Sequence, residues 1–405
     1  MAREPLLFNG GVTKAMRLKA LPPLSLYVHI PWCVRKCPYC DFNSHEARDG
    51  QSVTSGLSEQ LERRYVSALV SDLEGALPAV WGRRISTVFF GGGTPSLFSS
   101  RALDDILSAV RARLPLKPDA EITLEANPGT FEAGKFAEFR ALGVNRLSIG
   151  IQSFNPRLLK ALGRIHDTQQ GVRAVEIAQR NFDNFNLDLM YALPDQSLDE
   201  AMSDVLTALS LAPPHLSCYH LTIEPNTVFS KFPPRIPDED VSADMQERIE
   251  ARLAEKGYEH YETSAFAKPD RRCAHNLNYW TFGDYLGLGA GAHAKISLPD
   301  CITREVRFRA PGDYMSHAEG GTPVVQRNEV SAKDLPFEFM MNGLRLIEGF
   351  ESRLFEERTG LSLSTVIPRL DAAEAQGLIV RDHLRITPTL LGQRFLNDLL
   401  EGFLE

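Results

Sequence analysis

The sequence predicts an α/β fold built on a partial parallel (β/α) barrel, and three observations lead to this prediction. Six short β-rich runs alternate with amphipathic helical stretches between about residues 24 and 265. Polar motifs follow these runs or occupy their last residues, and the pattern becomes mostly helical after about residue 330. Strands that alternate with helices form parallel βαβ units, whose functional residues gather at the carboxyl ends of the strands.

Each predicted strand is short, apolar and followed by a turn or a helical pattern. The strands are expected at residues 24–30, 85–90, 121–126, 145–150, 185–190 and 216–222. The helices between them are expected at residues 57–77, 101–113, 132–141, 168–180 and 198–211. A Pro-rich stretch then predicts a surface excursion at residues 232–240, before a further helix at residues 241–256.

The pattern divides the chain into four predicted regions. These are an N-terminal arm (1–23), the partial barrel (24–265), an α/β extension (266–330) and a small C-terminal domain (331–405). The last region has helical patterns followed by a hairpin-like run, as a winged helix does. Residues 351–405 hold six Lys and Arg against nine Asp and Glu, so a lid or a protein-docking role is favoured over DNA binding. The helices are expected at 334–346, 352–358 and 363–376, and the hairpin at 378–386.

Composition narrows the class of protein. The 405 residues are 43% hydrophobic and carry a net charge of −8, which argues against a nucleic-acid partner. No apolar run is long enough to cross a bilayer, so any membrane contact is expected to be peripheral. The first twenty residues lack the apolar core of a signal peptide and only weakly resemble a transit peptide. Six cysteines, three of them clustered, indicate a reducing compartment with a metal site, and we expect the protein to be cytoplasmic.

A cysteine loop directly follows the first predicted strand. It reads Cys33-Val-Arg-Lys-Cys37-Pro-Tyr-Cys40. Three thiolates hold three irons of a [4Fe–4S] cubane, which leaves the fourth iron open to a chelating molecule such as S-adenosylmethionine. A structural zinc site is the alternative, with Asp41 or His45 as the fourth ligand.

This loop carries a resemblance to a known superfamily. C-x₃-C-x₂-C after a first strand resembles the radical S-adenosylmethionine (radical SAM) superfamily. The longer string SLYVHIPWCVRKCPYCDFNSH at residues 25–45 is similar to the coproporphyrinogen III dehydrogenase-like branch, and within it to the HemW family of haem chaperones. The resemblance extends from residue 24 to near the C-terminus. It implies a [4Fe–4S] cluster on Cys33, Cys37 and Cys40, with S-adenosylmethionine on the remaining iron.

The resemblance also implies a shell of residues around S-adenosylmethionine. Glycines after the second strand let backbone approach a ligand closely, and this turn resembles the motif that holds the methionyl amino group. Asp188 interrupts an apolar strand, where a charge is costly unless it is paired. Without the resemblance, Glu125 and Gln152 fit polar residues at a barrel rim equally well, and Tyr27 and Tyr39 fit ordinary strand and loop aromatics equally well. Arg164 would then more often be a solvated surface charge. The implied shell is Tyr27, Tyr39, Gly92, Gly93, Thr94, Glu125, Gln152, Arg164 and Asp188.

A second motif, His275-Asn-Leu-Asn-Tyr279-Trp280, resembles the haem-binding motif of HemW-like proteins. Imidazole is a common axial ligand of haem iron, and Tyr and Trp offer flat apolar surfaces. A lone histidine is more often structural, and the complete motif reverses that preference. Cys273 could be a soft second ligand or a covalent attachment point, and a semi-buried thiol is the favoured interpretation. Asp284 and His293 are expected in a turn near the motif, and no role is assigned to them.

Two functions compete. In the first, the chain is a haem chaperone that transfers haem to an acceptor protein, for which a respiratory haemoprotein is one candidate. In the second, it is an oxygen-independent coproporphyrinogen III dehydrogenase of porphyrin biosynthesis, which needs an electron donor. Phe42 stands where dehydrogenases of this branch have a fourth cysteine, and this favours the chaperone. A radical enzyme with another substrate remains a third possibility, with the HNLNYW segment merely structural.

Overall fold

The computed structural model describes residues 16–47, 57–128 and 133–404. Its strands, numbered along the chain, are β1 (Leu24–Ile30), β2 (Trp32–Cys33), β3 (His45–Glu46), β4 (Ile85–Gly92), β5 (Leu116–Ala126), β6 (Arg146–Gln152), β7 (Phe185–Tyr191), β8 (His215–His220), β9 (Glu259–Glu262), β10 (Ala265–Ala267), β11 (Asp284–Leu288), β12 (His293–Ser297), β13 (Ile302–Arg307), β14 (Val324–Glu329), β15 (Phe350–Glu351), β16 (Ile379–Arg381) and β17 (Arg385–Pro388).

Most of the helices pack on the outside of the sheet or in the C-terminal part of the chain. They are α1 (Glu59–Val80), α2 (Ser100–Arg113), α3 (Ala133–Ala141), α4 (Pro156–Ala161), α5 (Thr168–Asn181), α6 (Leu198–Ser210), α7 (Val228–Lys231), α8 (Glu239–Glu255), α9 (Ala274–Trp280), α10 (Pro311–Glu319), α11 (Leu335–Gly343), α12 (Ser352–Thr359), α13 (Ile367–Ala375), α14 (Leu390–Arg394) and α15 (Leu396–Glu401).

One twelve-stranded sheet organises most of the described chain. Its order is β14-β13-β12-β11-β1-β4-β5-β6-β7-β8-β10-β9. The seven strands from β11 to β8 in this order run parallel, and the strands beyond them at both ends pair antiparallel. The strand order does not close on itself, so the sheet is a partial barrel, and the predicted fold class is confirmed. Strands β11–β14, which the sequence analysis did not place, extend the same sheet past β1.

The two faces of the parallel strands differ in chemistry because side chains alternate along a strand. On β1 the residues Leu24, Leu26, Val28 and Ile30 join the large apolar core beneath the outer helices. The intervening residues face the interior of the partial barrel, where Ser25 accepts a hydrogen bond from Thr87 at 2.7 Å. The interior is therefore polar, and this is where the predicted site residues of the strands lie.

Local sequence signals fix the outer helices. Ser58 caps α1 by accepting a hydrogen bond from the Leu61 amide. Helices α5 and α6 each begin with a capping box, which satisfies two backbone donors at the helix start. Among the described residues, no helix combines the length and apolar character needed to span a bilayer.

The C-terminal helices pack around a separate apolar cluster that includes Phe339, Phe355 and Leu370. Strands β15, β17 and β16 form a small antiparallel sheet beside them, so helices precede a hairpin as in a winged helix. Residues 1–15 of the expected N-terminal arm lie outside the described residues.

Candidate functional site

The cysteine loop is braced at both ends by a short parallel ladder. Strand β2 pairs with β3, which places Cys33 opposite Glu46. The Ala47 amide donates to the Cys33 carbonyl at 3.0 Å, and the Cys40 amide donates to the Cys37 carbonyl at 3.2 Å. This ladder holds the three free, half-buried thiols on one short segment at the carboxyl end of β1.

Each of the three sulfurs has a polar neighbour. Thr94 Oγ1 lies 3.5 Å from Cys33 Sγ, Ser44 Oγ lies 3.7 Å from Cys40 Sγ, and Arg164 Nη1 lies 3.7 Å from Cys37 Sγ. Hydrogen-bond donors and a buried cation near the sulfurs suit a cysteine-ligated iron–sulfur cluster, whose net charge is negative.

The donor arrangement also bears on the zinc alternative. Nowhere in the described parts of the chain do three His, Cys, Asp or Glu side chains converge closely enough to hold a single metal ion. A cubane needs no such convergence, because each cysteine binds a different iron. Burial raises the pKa of Cys33 to about 11 and also raises the pKa of Cys40, so metal binding must release thiol protons.

Asn127, which the sequence analysis missed, links two elements around the cysteines. Its Nδ2 donates to Thr94 Oγ1 at 2.9 Å, and its Oδ1 accepts from Arg164 Nη2 at 2.6 Å. The same Nη2 also donates to the Gly150 carbonyl at 2.7 Å. Arg164 is thus held beside Cys37 and is not the solvated surface charge of the alternative reading. Its position could have indicated this role, because Asn127 follows the predicted site residue Glu125 by two residues at the end of β5.

The glycine turn presses against the strand that leads to the cysteines. A Cβ added to Gly92, whose φ is +110°, would lie 2.4 Å from the His29 ring. The amide of Gly92 donates to Glu125 Oε2, that of Gly93 to the Ile30 carbonyl, and that of Thr94 to the Trp32 carbonyl. These three backbone N–H groups are therefore already bonded within the protein. A ligand ammonium needs acceptors, and the carbonyls of the turn are the groups that could supply them.

Polar side chains also lie on the next two strands of the sheet, β6 and β7. Asp188 accepts from Ser148 Oγ at 3.0 Å and from Asn186 Nδ2 at 2.8 Å, so the charge predicted inside an apolar strand is paired by hydrogen bonds. Gln152 ends β6 with a φ of 61°. Its Oε1 is buried without a hydrogen-bond partner among the described residues, which suits an acceptor that waits for a ligand donor.

Glu125 provides a pH-dependent test of this environment. Burial, and then the nearby Asp188, raise the pKa of Glu125 to about 8. The unfolded chain releases this proton near pH 4.5, so the native state binds more protons and wild-type stability falls between about pH 4.5 and 8. Glu125→Gln cannot ionise. We expect the variant to gain about 1–3 kcal/mol in free energy of unfolding relative to wild type across this window. Urea unfolding of ligand-free protein at both pH values measures the gain, and a pH-independent difference would contradict it.

A cavity of about 430 Å³ joins these residues to later parts of the chain. Its inner end is formed by Tyr27, His29, Gly92 and Glu125. Tyr279 and Tyr285 form a wall, and the mouth is formed by exposed residues, Asp41, Phe42, His293 and Arg309. Asn43, Gly291 and Ala292 complete the lining. His29 was not among the predicted site residues, although it follows Tyr27 by two residues and so shares its face of β1. Tyr39 is not part of this lining; its ring packs 6.4 Å from that of Phe229.

The HNLNYW segment forms α9, whose first turn is anchored by a carboxylate from inside the barrel. Glu121 accepts from the amides of Ala274 and His275 at 3.1 and 3.0 Å, and Cys273 Sγ lies 3.6 Å from it. Cys273 is fully buried. A carboxylate at a helix N-terminus also complements the positive end of the helix dipole.

His275 points into the barrel interior, with 1% of its surface exposed. Its Nδ1 lies 2.7 Å from Thr87 Oγ1 and its Nε2 lies 3.2 Å from the Tyr279 hydroxyl, while its ring stacks on Phe89. Burial, and then the cation of Arg146, lower the pKa of His275 to about 3, so its imidazole is neutral. Both nitrogens are engaged in this conformation.

The two aromatic residues of the motif lie in different surroundings. Tyr279 lines the cavity and packs edge-on against Tyr285. Trp280 lies under the guanidinium of Arg345, 4.4 Å from it, and its buried indole N–H has no partner in the described chain. Asp284 and His293, expected within a turn, instead begin β11 and β12, and of the two His293 directly follows the turn at residues 289–292. Asp284 is buried in ion pairs with Lys295 and Arg83.

Comparisons with known proteins agree with this geometry. Residues 27–206 match the Radical SAM superfamily, which implies a [4Fe–4S] cluster and S-adenosylmethionine as cofactors, and residues 330–395 match the HemN C-terminal domain. The chain has the fold of coproporphyrinogen III oxidase (HemN) from Escherichia coli, with a TM-score of 0.78 at 23% identity over 95% of this chain and 90% of that one.

Full-length relatives are more similar still. The chain is 50% identical to the heme chaperone HemW of Escherichia coli K12, a match that covers 95% of this chain and 99% of the relative. It is 45% identical to HemW of Haemophilus influenzae over 95% and 98%, and 34% identical to HemW of Bacillus subtilis over 94% and 99%. The chain therefore belongs to the HemW family of radical SAM proteins.

Proposed function

We propose that this chain binds haem and transfers it to an acceptor protein, using a radical SAM core as its framework. One observation carries the proposal: Tyr279 of the HNLNYW helix lines the same cavity that begins at Gly92 and Glu125. The relatives named as heme chaperones match the chain along nearly its whole length, which supports the same assignment.

In this proposal Cys33, Cys37 and Cys40 hold the cluster, and Arg164 offsets its negative charge. The cluster and S-adenosylmethionine supply one-electron chemistry when they are bound. The turn at Gly92, Gly93 and Thr94 receives the methionyl ammonium. Glu125, Gln152 and Asp188 offer acceptors for the ammonium and the ribose hydroxyls, Tyr27 lines the adenine side, and Tyr39 packs beside the cluster.

Binding of haem iron by His275 would cost free energy, because both of its ring nitrogens are already hydrogen-bonded. For His275 to bind iron, the ligating ring nitrogen must give up its hydrogen bond to Thr87 or to Tyr279, and a lost hydrogen bond costs about 1 kcal/mol. The imidazole is already neutral, as a metal ligand must be. Tyr279 and Trp280 would then offer flat surfaces to the macrocycle.

Hemin titration of the reconstituted protein tests this function. We expect saturable binding by the wild type, at about one hemin per chain, and at least about tenfold weaker binding by His275→Ala if this residue is a ligand. His383→Ala is the matched control, because His383 is an exposed histidine outside the cavity lining. Unchanged affinity and absorption spectrum in His275→Ala would remove His275 from the site.

An anaerobic assay separates the chaperone from the dehydrogenase. The protein is incubated with coproporphyrinogen III, reductant and S-adenosylmethionine, and protoporphyrinogen is measured. Phe42, which replaces the fourth cysteine of the dehydrogenase pattern, is 61% exposed at the cavity mouth, so we expect no turnover. Product formed in multiple turnovers would overturn the proposal.

The finer assignments of partner and compartment belong to the same proposal. The acceptor is a haemoprotein, and an electron donor reduces the cluster. The protein acts in the reducing cytoplasm, where an iron–sulfur cluster and unpaired thiols persist. All six cysteines are free thiols, which supports this assignment.

A further inference from the structure

His293 lies at the cavity mouth because of the direction of one strand. Strand β11 runs parallel to β1, so the turn that follows it emerges at the same sheet edge as the cysteine loop. The chain then reverses into β12, and His293 is its first residue, with an exposed side chain. This position faces the cavity that the haem proposal requires.

The backbone that presents His293 is held from several directions. The Gly289 amide donates to Asp72, and the Ala290 amide donates to the Tyr65 hydroxyl at 2.9 Å. Asn43, which follows the cysteine loop, donates from Nδ2 to the Ala290 carbonyl at 2.9 Å. Gly287 has no side chain where a Cβ would lie 1.9 Å from the His293 carbonyl. The turn is therefore fixed in place before any ligand arrives.

Three histidines lie at or behind the cavity, and they differ in whether their ring nitrogens are hydrogen-bonded to other protein groups. His29 is bonded to the Tyr27 hydroxyl and the Asn43 carbonyl, at 3.0 and 2.9 Å. His275 is bonded to Thr87 and Tyr279. No hydrogen bond to the His293 ring is found within the described chain. His293 is thus the imidazole of this set that can bind a metal without breaking a protein hydrogen bond.

The surroundings of His293 fit the rest of a haem molecule. Arg309 is exposed at the same mouth and has no carboxylate partner in the described residues, while Asn43 fixes its backbone through a 2.9 Å bond to its carbonyl. An arginine pairs well with a propionate. Tyr279 and Tyr285 provide aromatic surface along the wall. Asp41, also at the mouth, would repel a propionate, so the propionates should point toward Arg309.

We propose that His293 is an axial ligand of the haem iron and that Arg309 pairs with a haem propionate at the cavity mouth. This inference rests on the proposed haem-binding function and adds to it residues outside the HNLNYW motif. The iron is bound by an imidazole nitrogen of His293.

The test compares hemin with iron-free protoporphyrin IX on full-length protein with its cluster reconstituted. For His293→Ala we expect hemin binding to weaken at least about tenfold and its Soret band to shift, while protoporphyrin IX affinity stays within about twofold. Arg309→Gln should weaken both porphyrins several-fold, because both carry propionates. His383→Ala should change neither, since a nonspecific surface histidine contributes nothing at the mouth.

A rescue experiment guards against indirect effects of the substitution. In His293→Gly, added imidazole should restore the wild-type Soret position, and His293→Gln should behave like His293→Ala. If the His293 variants keep wild-type hemin affinity and spectrum while His275→Ala loses them, this inference fails and the haem function stands. If the wild type itself binds no hemin, the proposed function fails and takes the inference with it.

Discussion

Cys37→Ala is expected to abolish the [4Fe–4S] cluster. The loop between β2 and β3 presents three thiols, and a cubane that already has one open iron cannot lose a second protein ligand and stay bound. Iron and sulfide in anaerobically reconstituted protein should fall from about four of each per chain to below about one. The wild type should also change its cluster spectrum when S-adenosylmethionine is added, and Cys37→Ala should show no such response.

Cys301→Ala is the matched control for cluster loss. Cys301 is a free, partly buried thiol between β12 and β13, outside the cysteine loop. This variant should retain full iron and sulfide. If Cys37→Ala keeps four irons, or if the wild type takes up only zinc, the cluster assignment on this loop is wrong.

Asp72→Ala is expected to lower the free energy of unfolding by about 3–5 kcal/mol. Asp72 lies on α1 and is fully buried, where it pairs with the buried guanidinium of Arg307 at 3.3 Å. It also accepts from the Tyr314 hydroxyl at 3.0 Å and from the Gly289 amide at 3.3 Å. Removal of the carboxylate leaves a buried cation with Glu305 as its remaining acidic partner and leaves two donors unsatisfied.

Chemical denaturation measures this loss, and the same pair of helices supplies the control. Arg64 on α1 and Glu319 on α10 form an ion pair in which both side chains are about half exposed. Such surface pairs contribute little, because solvent screens the charges and ordering the side chains costs entropy. Glu319→Ala should leave the unfolding transition unchanged within error. Equal losses in Asp72→Ala and Glu319→Ala would show that burial is not what makes the Asp72 pair strong.

The sequence predicted well those strands whose boundaries depend on a local pattern of residues. Strand β1 begins and ends where the apolar run at residues 24–30 predicts, and β7 differs from its prediction by one residue. Strand β5 begins five residues early, at Leu116, although Pro118 and Asp119 disfavour a strand there. Strand β4 pairs with β5 at Leu116 and again from Glu121 onward, so Pro118 and Asp119 lie in an irregular stretch between two paired segments. The local pattern of residues 116–120 therefore did not indicate where β5 begins.

What the sequence analysis missed depends on contacts between distant residues. The pairing of β1 with β11 joins residues about 260 positions apart, and no local pattern encodes such a partner. Asn127 and His293 gain their positions from these contacts. The prediction that His275, Tyr279 and Trp280 act on haem remains a prediction. The fold explains why the motif alone was ambiguous, since its histidine is held inside the barrel by Thr87.

The orientation of β11 decides where this molecule can change without losing its core. Because β11 runs alongside β1 in the same direction, the residues that follow it line the cavity, whereas the hydrogen-bonded ladders behind them do not. Gly289 and Gly291 have left-handed backbones there, which keeps the reversal short. Of residues 290–293, Ala290 and Ala292 are buried and Gly291 has no room for a Cβ beside Asn43, whereas the side chain of His293 is exposed. Variation at His293 is therefore the change in this turn that would alter the cavity lining without disturbing the core.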